Sequence, residues 1–161
     1  MRDDANIRSP RFFVARAVGT CRRCRAPIPL FALAVPPGHL ALELDDDADE
    51  EAAVDTWRIA AHGAWLFHVE HLAEPVQQRL RRFTRSYRRD EEHTADACWT
   101  NRCEVCGAPQ DDQALFCEPD GVFSPLGDLQ SAAILIEAVE ESFAATAGGY
   151  APDPGFFSTL R

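Results

Sequence analysis

Two C-x-x-C pairs, Cys21-Arg22-Arg23-Cys24 and Cys103-Glu104-Val105-Cys106, constrain this chain more than any other feature. Ala26 follows the first pair and Gly107-Ala108 the second, so each can close as a tight turn with backbone N–H groups aimed at sulfur. Two such turns supply four thiolates, the full complement of a tetrahedral structural zinc site. The fold must then bring them together across residues 25–102, which chain entropy tolerates because loop closure costs grow only logarithmically with length. Cys21, Cys24, Cys103 and Cys106 are therefore read as the ligands of one Zn2+. With four protein sulfurs the ion has no open position for water, which makes it structural rather than catalytic.

Other readings compete with this one: a redox pair, two unrelated turns, or a site that has lost its metal. Redox C-x-x-C pairs sit at the start of a helix that follows a strand, and Pro27-Ile28-Pro29 does not start such a helix. Arg22, Arg23 and Arg25 beside the first pair, and Arg102 beside the second, would offset the negative charge of a four-thiolate centre, or simply face solvent. Asn101 stands just before the second pair, placed either to hydrogen-bond a sulfur or to pin the hairpin.

At 161 residues the chain is long enough for one domain that buries about two-thirds of its unfolded surface, so a core forms without help from the metal. A hydrophobic fraction of 46% with ten Phe excludes a disordered chain. Every one of its sixteen basic residues is Arg, a bias that fits GC-rich bacterial coding. The formal net charge of -10 opposes general nucleic-acid binding, which needs a basic face to displace counterions from phosphates. The acidic start carries no apolar run, and the stretch from Ile28 to Val35 is too short to span a bilayer. A cytoplasmic location follows, where thiols stay reduced and C-x-x-C pairs read as metal ligands.

Along the chain, residues 11–18 read as a strand into the first turn, and Pro27 to Val35 as its return, with Pro27 and Pro29 at a sheet edge. Trp65 to Leu72 is aromatic and β-branched and reads as a central strand; on it His68 and His71 face apart and make no ligand pair. Pro75 suits a first helical turn, and Val76, Leu80 and Phe83 fall at helical spacing on one face, with arginines around the outer side. A second hairpin returns through Ala114-Leu115-Phe116-Cys117. Asp128 then caps a helix with Ala132, Leu135, Ile136, Val139 and Phe143 on one face, stopped by Gly148-Gly149. Cys98 and Cys117 read as small buried hydrophobes.

These elements predict one zinc-stabilised α+β domain over residues 1–161. It is an antiparallel sheet whose two zinc-knuckle hairpins form a zinc-ribbon-like site, flanked by two helices. A mobile start (1–10), an acidic loop (43–55) and an extended tail (150–161) complete it. Seven acids in Glu43 to Glu51 read as a solvated loop, since a hard-cation site needs an ordered cage of oxygens.

The run Trp99-x-Asn101-x-Cys103-x-x-Cys106-Gly107-Ala108-x-Gln110-x-Asp112, followed by Leu115-Phe116 and Gly121-x-Phe123-x-Pro125, resembles small uncharacterised bacterial zinc-ribbon-like proteins. The resemblance spans residues 12–125 in its order of features, with its specificity in the second knuckle. It implies a zinc-binding fold and no activity.

No nucleophile with a local base, phosphate-cradling glycine loop or paired buried carboxylate has recognisable spacing, so an enzyme is not expected. The chain is read as a structural-zinc protein-interaction module, with Arg79, Arg82, Arg85, Arg88 and Arg89 as the candidate contact surface for another protein. The alternative is a nucleic-acid-associated regulator using the same arginines with Arg22, Arg23 and Arg25.

Overall fold

The computed structural model describes residues 5–43, 56–89, 98–111, 113–117, 122–123 and 134–152. In chain order the strands are β1 (Ile7–Ser9), β2 (Phe12–Thr20), β3 (Pro27–Val35), β4 (Leu40–Glu43), β5 (Thr56–Ile59) and β6 (Ala64–Leu72). Helix α1 (Glu74–Phe83) follows, then β7 (Tyr87–Arg89), β8 (Trp99–Asn101), β9 (Leu135–Val139) and β10 (Phe143–Pro152). They form one antiparallel sheet along the path β5-β4-β1-β10-β6-β3-β2-β9, with β8 attached to β6 and β7 to β8.

The chain's links show that this sheet curls. Only three Cα steps, about 11 Å at most, join the end of β1 at Ser9 to the start of β2 at Phe12. On a flat sheet the four strand spacings between β1 and β2 would span roughly 19 Å. The sheet must bend until its two flanks approach. Accordingly, Ile7 of β1 and Val139 of β9, from opposite flanks, join one buried cluster, and the Phe12 and Phe143 rings lie 5.0 Å apart within it. Helix α1 closes that inner face with Val76 and Leu80.

The other face carries a second cluster, because the strand period of two sends alternate residues of β2 and β3 to opposite sides. Phe12 and Val14 belong to the first cluster, Phe13, Ala15 and Ala17 to the second. Leu115 and Phe116, on a π-helical turn over Gln113–Cys117, cover this second face together with Phe123. Phe116 stacks on both Phe67 and Phe123, and Phe123 packs against Trp65. The second cluster also contains Cys21, Cys103 and Ala108, so one end of the core runs directly into the paired turns.

Several expectations are corrected here. The protein is mostly antiparallel sheet, and among the described residues α1 is its one helix longer than a single turn, so it is not an α+β fold flanked by two helices. Where the second helix was expected, Leu135–Val139 is an edge strand on β2 and Phe143–Pro152 lies inside the sheet between β1 and β6. The apolar residues at three- and four-residue spacing concealed a period of two: Ile134 and Ile136 pack with the second cluster and Val139 with the first. The exposed backbone edge of β2 recruits this segment as a strand, and tertiary pairing overrides the helical preference of its Ala and Glu. Asp128 and Ala132 lie outside the described residues.

Gly148 is no helix stop. It sits within β10 opposite His68, where a Cβ would come within 3.2 Å of the His68 Cβ. His68 has a left-handed φ of 49°, and the β6–β10 register shifts again between Thr146 and Ala147. These irregularities let Leu66, Val69 and Leu72, three residues apart each time, share one cluster on a strand. The expected return arm at Ala114–Cys117 is likewise a turn rather than a strand. The start expected to be loose includes β1, with Ile7 buried. Of the acidic loop, residues 44–55 lie outside the described residues, as does the tail beyond Pro152.

Candidate metal centre

The first knuckle is the tip of the β2–β3 hairpin, whose ladder runs to Thr20 opposite Pro27. On its other side β3 pairs with β6 only at Leu33–Val35, so its proline-bearing start is free of that ladder. β8 fills the space where β3 and β6 part. Trp99 pairs with Val69 of β6, and the buried Asn101 accepts from the Phe31 N–H at 2.8 Å and donates to the Phe31 carbonyl at 2.8 Å. Asn101 thus behaves as an extra rung of ladder and places the residues after β8, including Cys103, beside the first knuckle.

The two knuckles share one backbone design. The Cys21 N–H donates to the Ala26 carbonyl at 2.9 Å, as the Cys103 N–H donates to Ala108 at 2.9 Å. The residue after each second cysteine returns a bond to the first: Arg25 N–H to the Cys21 carbonyl, Gly107 N–H to the Cys103 carbonyl. That residue is left-handed in both, with φ of 64° at Arg25 and 78° at Gly107. The second knuckle has the glycine this conformation favours, and the first uses an arginine.

Four sulfurs meet between the knuckles. All lie within 4.8 Å of one another, with Cys21 Sγ to Cys106 Sγ and Cys24 Sγ to Cys103 Sγ both 3.6 Å. Zinc–sulfur bonds of about 2.3 Å in a tetrahedron put sulfurs about 3.8 Å apart, so the cluster can hold a metal ion with little rearrangement. The separations are far longer than a disulfide bond, and all four cysteines are free thiols.

The thiols are not equivalent. Cys21 Sγ accepts from the Arg23 and Cys24 amides at 3.4 Å, and Cys103 Sγ from Val105 at 3.3 Å and Cys106 at 3.4 Å. The Cys24 amide is the main reason the Cys21 thiol falls to about 6; burial opposes it, and the Arg23 amide and Gln110 add to the fall. Cys103 is lowered in the same way, led by the Cys106 amide. Cys24 rises to about 11: its largest influence, the Ala26 amide, pulls downward, but burial and the neighbouring thiols outweigh it. The backbone thus prepares the first cysteine of each pair as a thiolate, and a bound cation would displace the proton held by Cys24.

Gln110 carries a role that sequence reasoning missed. Its buried side chain donates to Cys21 Sγ at 3.5 Å and to the Ala108 carbonyl at 3.0 Å, and accepts from the Arg22 N–H at 3.1 Å. It bridges the knuckles directly. The available signal was a polar residue four places after Cys106, but its reach depends on the docked pair. Arg102 donates to the Gly107 carbonyl at 3.2 Å and so braces its own knuckle, while Arg22, Arg23 and Arg25 are exposed.

The other candidates lie elsewhere. Arg79 makes a two-pronged pair with Glu141, including Nε to Oε2 at 3.3 Å, which ties α1 to the β9–β10 link. Arg82 is exposed on the helix, whereas Arg85, Arg88 and Arg89 line a groove beyond it. His68 and His71 are exposed, and neither they nor Cys98 belong to a metal-ligand cluster among the described residues. Cys117 lies on the π-helical turn.

No family model, curated protein or solved structure matches this chain. Among the described residues no helix is long and apolar enough to cross a membrane.

Proposed function

We propose that the chain is a binding module whose curled sheet is stapled at one end by a structural Zn2+ on Cys21, Cys24, Cys103 and Cys106. The observation that carries this reading is the convergence of four free sulfurs within 4.8 Å, from two knuckles of matching hydrogen-bond pattern. Zinc fits better than a harder cation because the donor set is entirely thiolate. With every position filled by the protein, the ion would hold the hairpins together and leave no place for a substrate.

The interaction role is supported by the surface at the knuckle end. Val105, between the second pair of ligands, is 70% exposed, and so is Val18 just ahead of the first pair. Exposed Arg22, Arg23 and Arg25 adjoin them in the chain. Exposed apolar side chains rimmed by arginine suit a protein partner, since such interfaces favour Arg over Lys and carboxylates around an apolar core. The cytoplasm is the compartment that would keep these thiols reduced.

Elemental analysis of protein purified without added metal tests the reading. One zinc per chain is expected, reduced to near zero in Cys103→Ser. A wild-type chain that holds no metal, and whose thiols all react at once with a thiol reagent while the fold persists, would overturn it.

A further inference from the structure

A groove of about 840 Å3 opens between the C-terminal half of α1, the turn after it and the β7–β8 ladder. Its floor is apolar, made by Leu80, Tyr87 and Trp99, all buried. Its walls carry Arg81 from α1, Arg85 from the turn, Arg88 and Arg89 from β7, and Arg102 from just beyond β8. His71 also lines the space, and among the described residues Glu70 is the one carboxylate residue that does. Five arginines lining one groove are a pronounced concentration in a chain of formal net charge -10.

The framework behind these arginines is fixed. Thr84 Oγ1 accepts from the Ser86 N–H at 2.9 Å, and the Ser86 carbonyl accepts from the Arg102 N–H at 2.7 Å, so Arg85 sits on a turn held from both sides. Arg88 stands opposite Thr100 in the ladder. Among the described residues no ion pair joins Arg85, Arg88 or Arg89 to a carboxylate, whereas on α1 Arg81 lies 3.9 Å from Glu74 and Arg79 is paired with Glu141. Like charges gathered in this way repel unless a counter-anion sits among them.

We propose that the groove binds a chain of linked phosphates. Guanidinium forks match phosphate oxygens two at a time, and the volume falls in the range of about 300–1,000 Å3 that small-molecule sites occupy. Tyr87 and Trp99 are buried, so among the described residues the groove offers no open aromatic face for the stacked bases of a single-stranded nucleic acid. An acidic peptide spreads its carboxylates over separate side chains, whereas here arginines from the helix, the turn and two strand ends line one compact space. The phosphate chain has two natural sources, inorganic polyphosphate or the triphosphate tail of a nucleotide. The inference stands on the groove and is independent of which metal the knuckles hold.

The test is calorimetric titration of the whole purified chain at low salt with tripolyphosphate, ATP, a single-stranded oligothymidylate and a glutamate-rich peptide. Tripolyphosphate is expected to bind, and Arg85→Ser combined with Arg88→Ser is expected to weaken it by roughly tenfold or more, as loss of charged hydrogen bonds does. Both side chains are exposed, so the variant keeps the fold, and Arg16→Ser on β2 serves as a control that leaves binding unchanged. Equal affinity for tripolyphosphate and ATP supports the nucleotide tail, and tighter binding of longer inorganic chains supports polyphosphate. The proposal fails if tripolyphosphate does not bind, if the double variant binds as well as the parent, or if the oligonucleotide or peptide binds more tightly. Parallel metal analysis keeps the outcome separate from the zinc reading, since a folded, metal-free chain still presents the groove.

Discussion

Gln110 donates from the second knuckle to Cys21 Sγ of the first at 3.5 Å, a contact between residues 89 positions apart. The same side chain accepts from Arg22 N–H, so two of its three bonds cross from one hairpin to the other. Gln110→Ala should therefore loosen the docking of the knuckles. Removing an outer partner of a metal site usually costs about 10–100-fold in affinity, and a loss of that size is expected in zinc competition against a chromogenic chelator. Gln110→Glu should do worse, because it places a carboxylate against a thiolate. Unchanged affinity in both variants would reduce the bridge to a packing contact.

The first knuckle holds Arg25 in the left-handed region that the second fills with Gly107. Arg25→Gly should relieve a strain of order 1–2 kcal/mol, offset in part by the added freedom of the unfolded chain, for a net gain of about 0.5–1 kcal/mol in urea unfolding. Gly107→Ala tests the converse. A Cβ there meets nothing within 4 Å, so a loss of about 1 kcal/mol would report backbone conformation alone.

Asn101 satisfies both backbone groups of Phe31 in a fully buried setting. Asn101→Leu leaves a buried N–H and a buried carbonyl without partners, each worth about 1–3 kcal/mol, so a combined loss of about 2–5 kcal/mol is expected in chemical denaturation. A loss below about 1 kcal/mol would mean that water replaces the amide.

His39 is 2% exposed, and its Nδ1 lies 2.8 Å from the Pro36 carbonyl. Burial holds its imidazolium form below the usual range, against the smaller opposing effect of that hydrogen bond. The unfolded chain therefore binds the proton more readily, so His39 favours the fold fully above about pH 6.5 and that contribution is lost as pH falls below it. Relative to His39→Asn, the wild type should lose stability with a slope of at most about 1.4 kcal/mol per pH unit in this window. Parallel pH profiles for the two proteins would refute this.

Metal removal should act locally. In hydrogen exchange after chelation, the amides of Arg23, Cys24, Val105 and Cys106, which donate to sulfur in the structure, should lose protection. The cluster around Leu66, Val69 and Leu80 sits under α1 rather than among the cysteines and should keep its protection. Global loss of protection would show that the ion organises the whole sheet.

What could be read from the sequence follows how local each signal is. The β2–β3 hairpin and α1 were legible because their periodicity, prolines and turn lie within short windows. The cysteine cluster was legible because ligand chemistry fixes both residue type and number. Leu135–Val139 was misread because its amphipathic spacing suits either period, and the deciding factor is the open edge of β2, more than 100 residues away in the chain. Gly148 looked like punctuation because the kink at His68 that requires it is on another strand. Gln110 and the arginine groove depend on how β8 wedges between β3 and β6, which no local window contains.

The insertion of β10 between β1 and β6 sets the order in which the molecule can be finished. Its neighbours on both sides are made long before it, and until residues 143–152 emerge they face each other across an empty slot with bare backbone edges. A nascent chain can therefore dock its helix and close its first knuckle early, yet it stays vulnerable to wrong strand pairing until β10 is synthesised. Truncation ahead of Phe143 should then yield a sticky, incomplete sheet rather than a smaller stable domain.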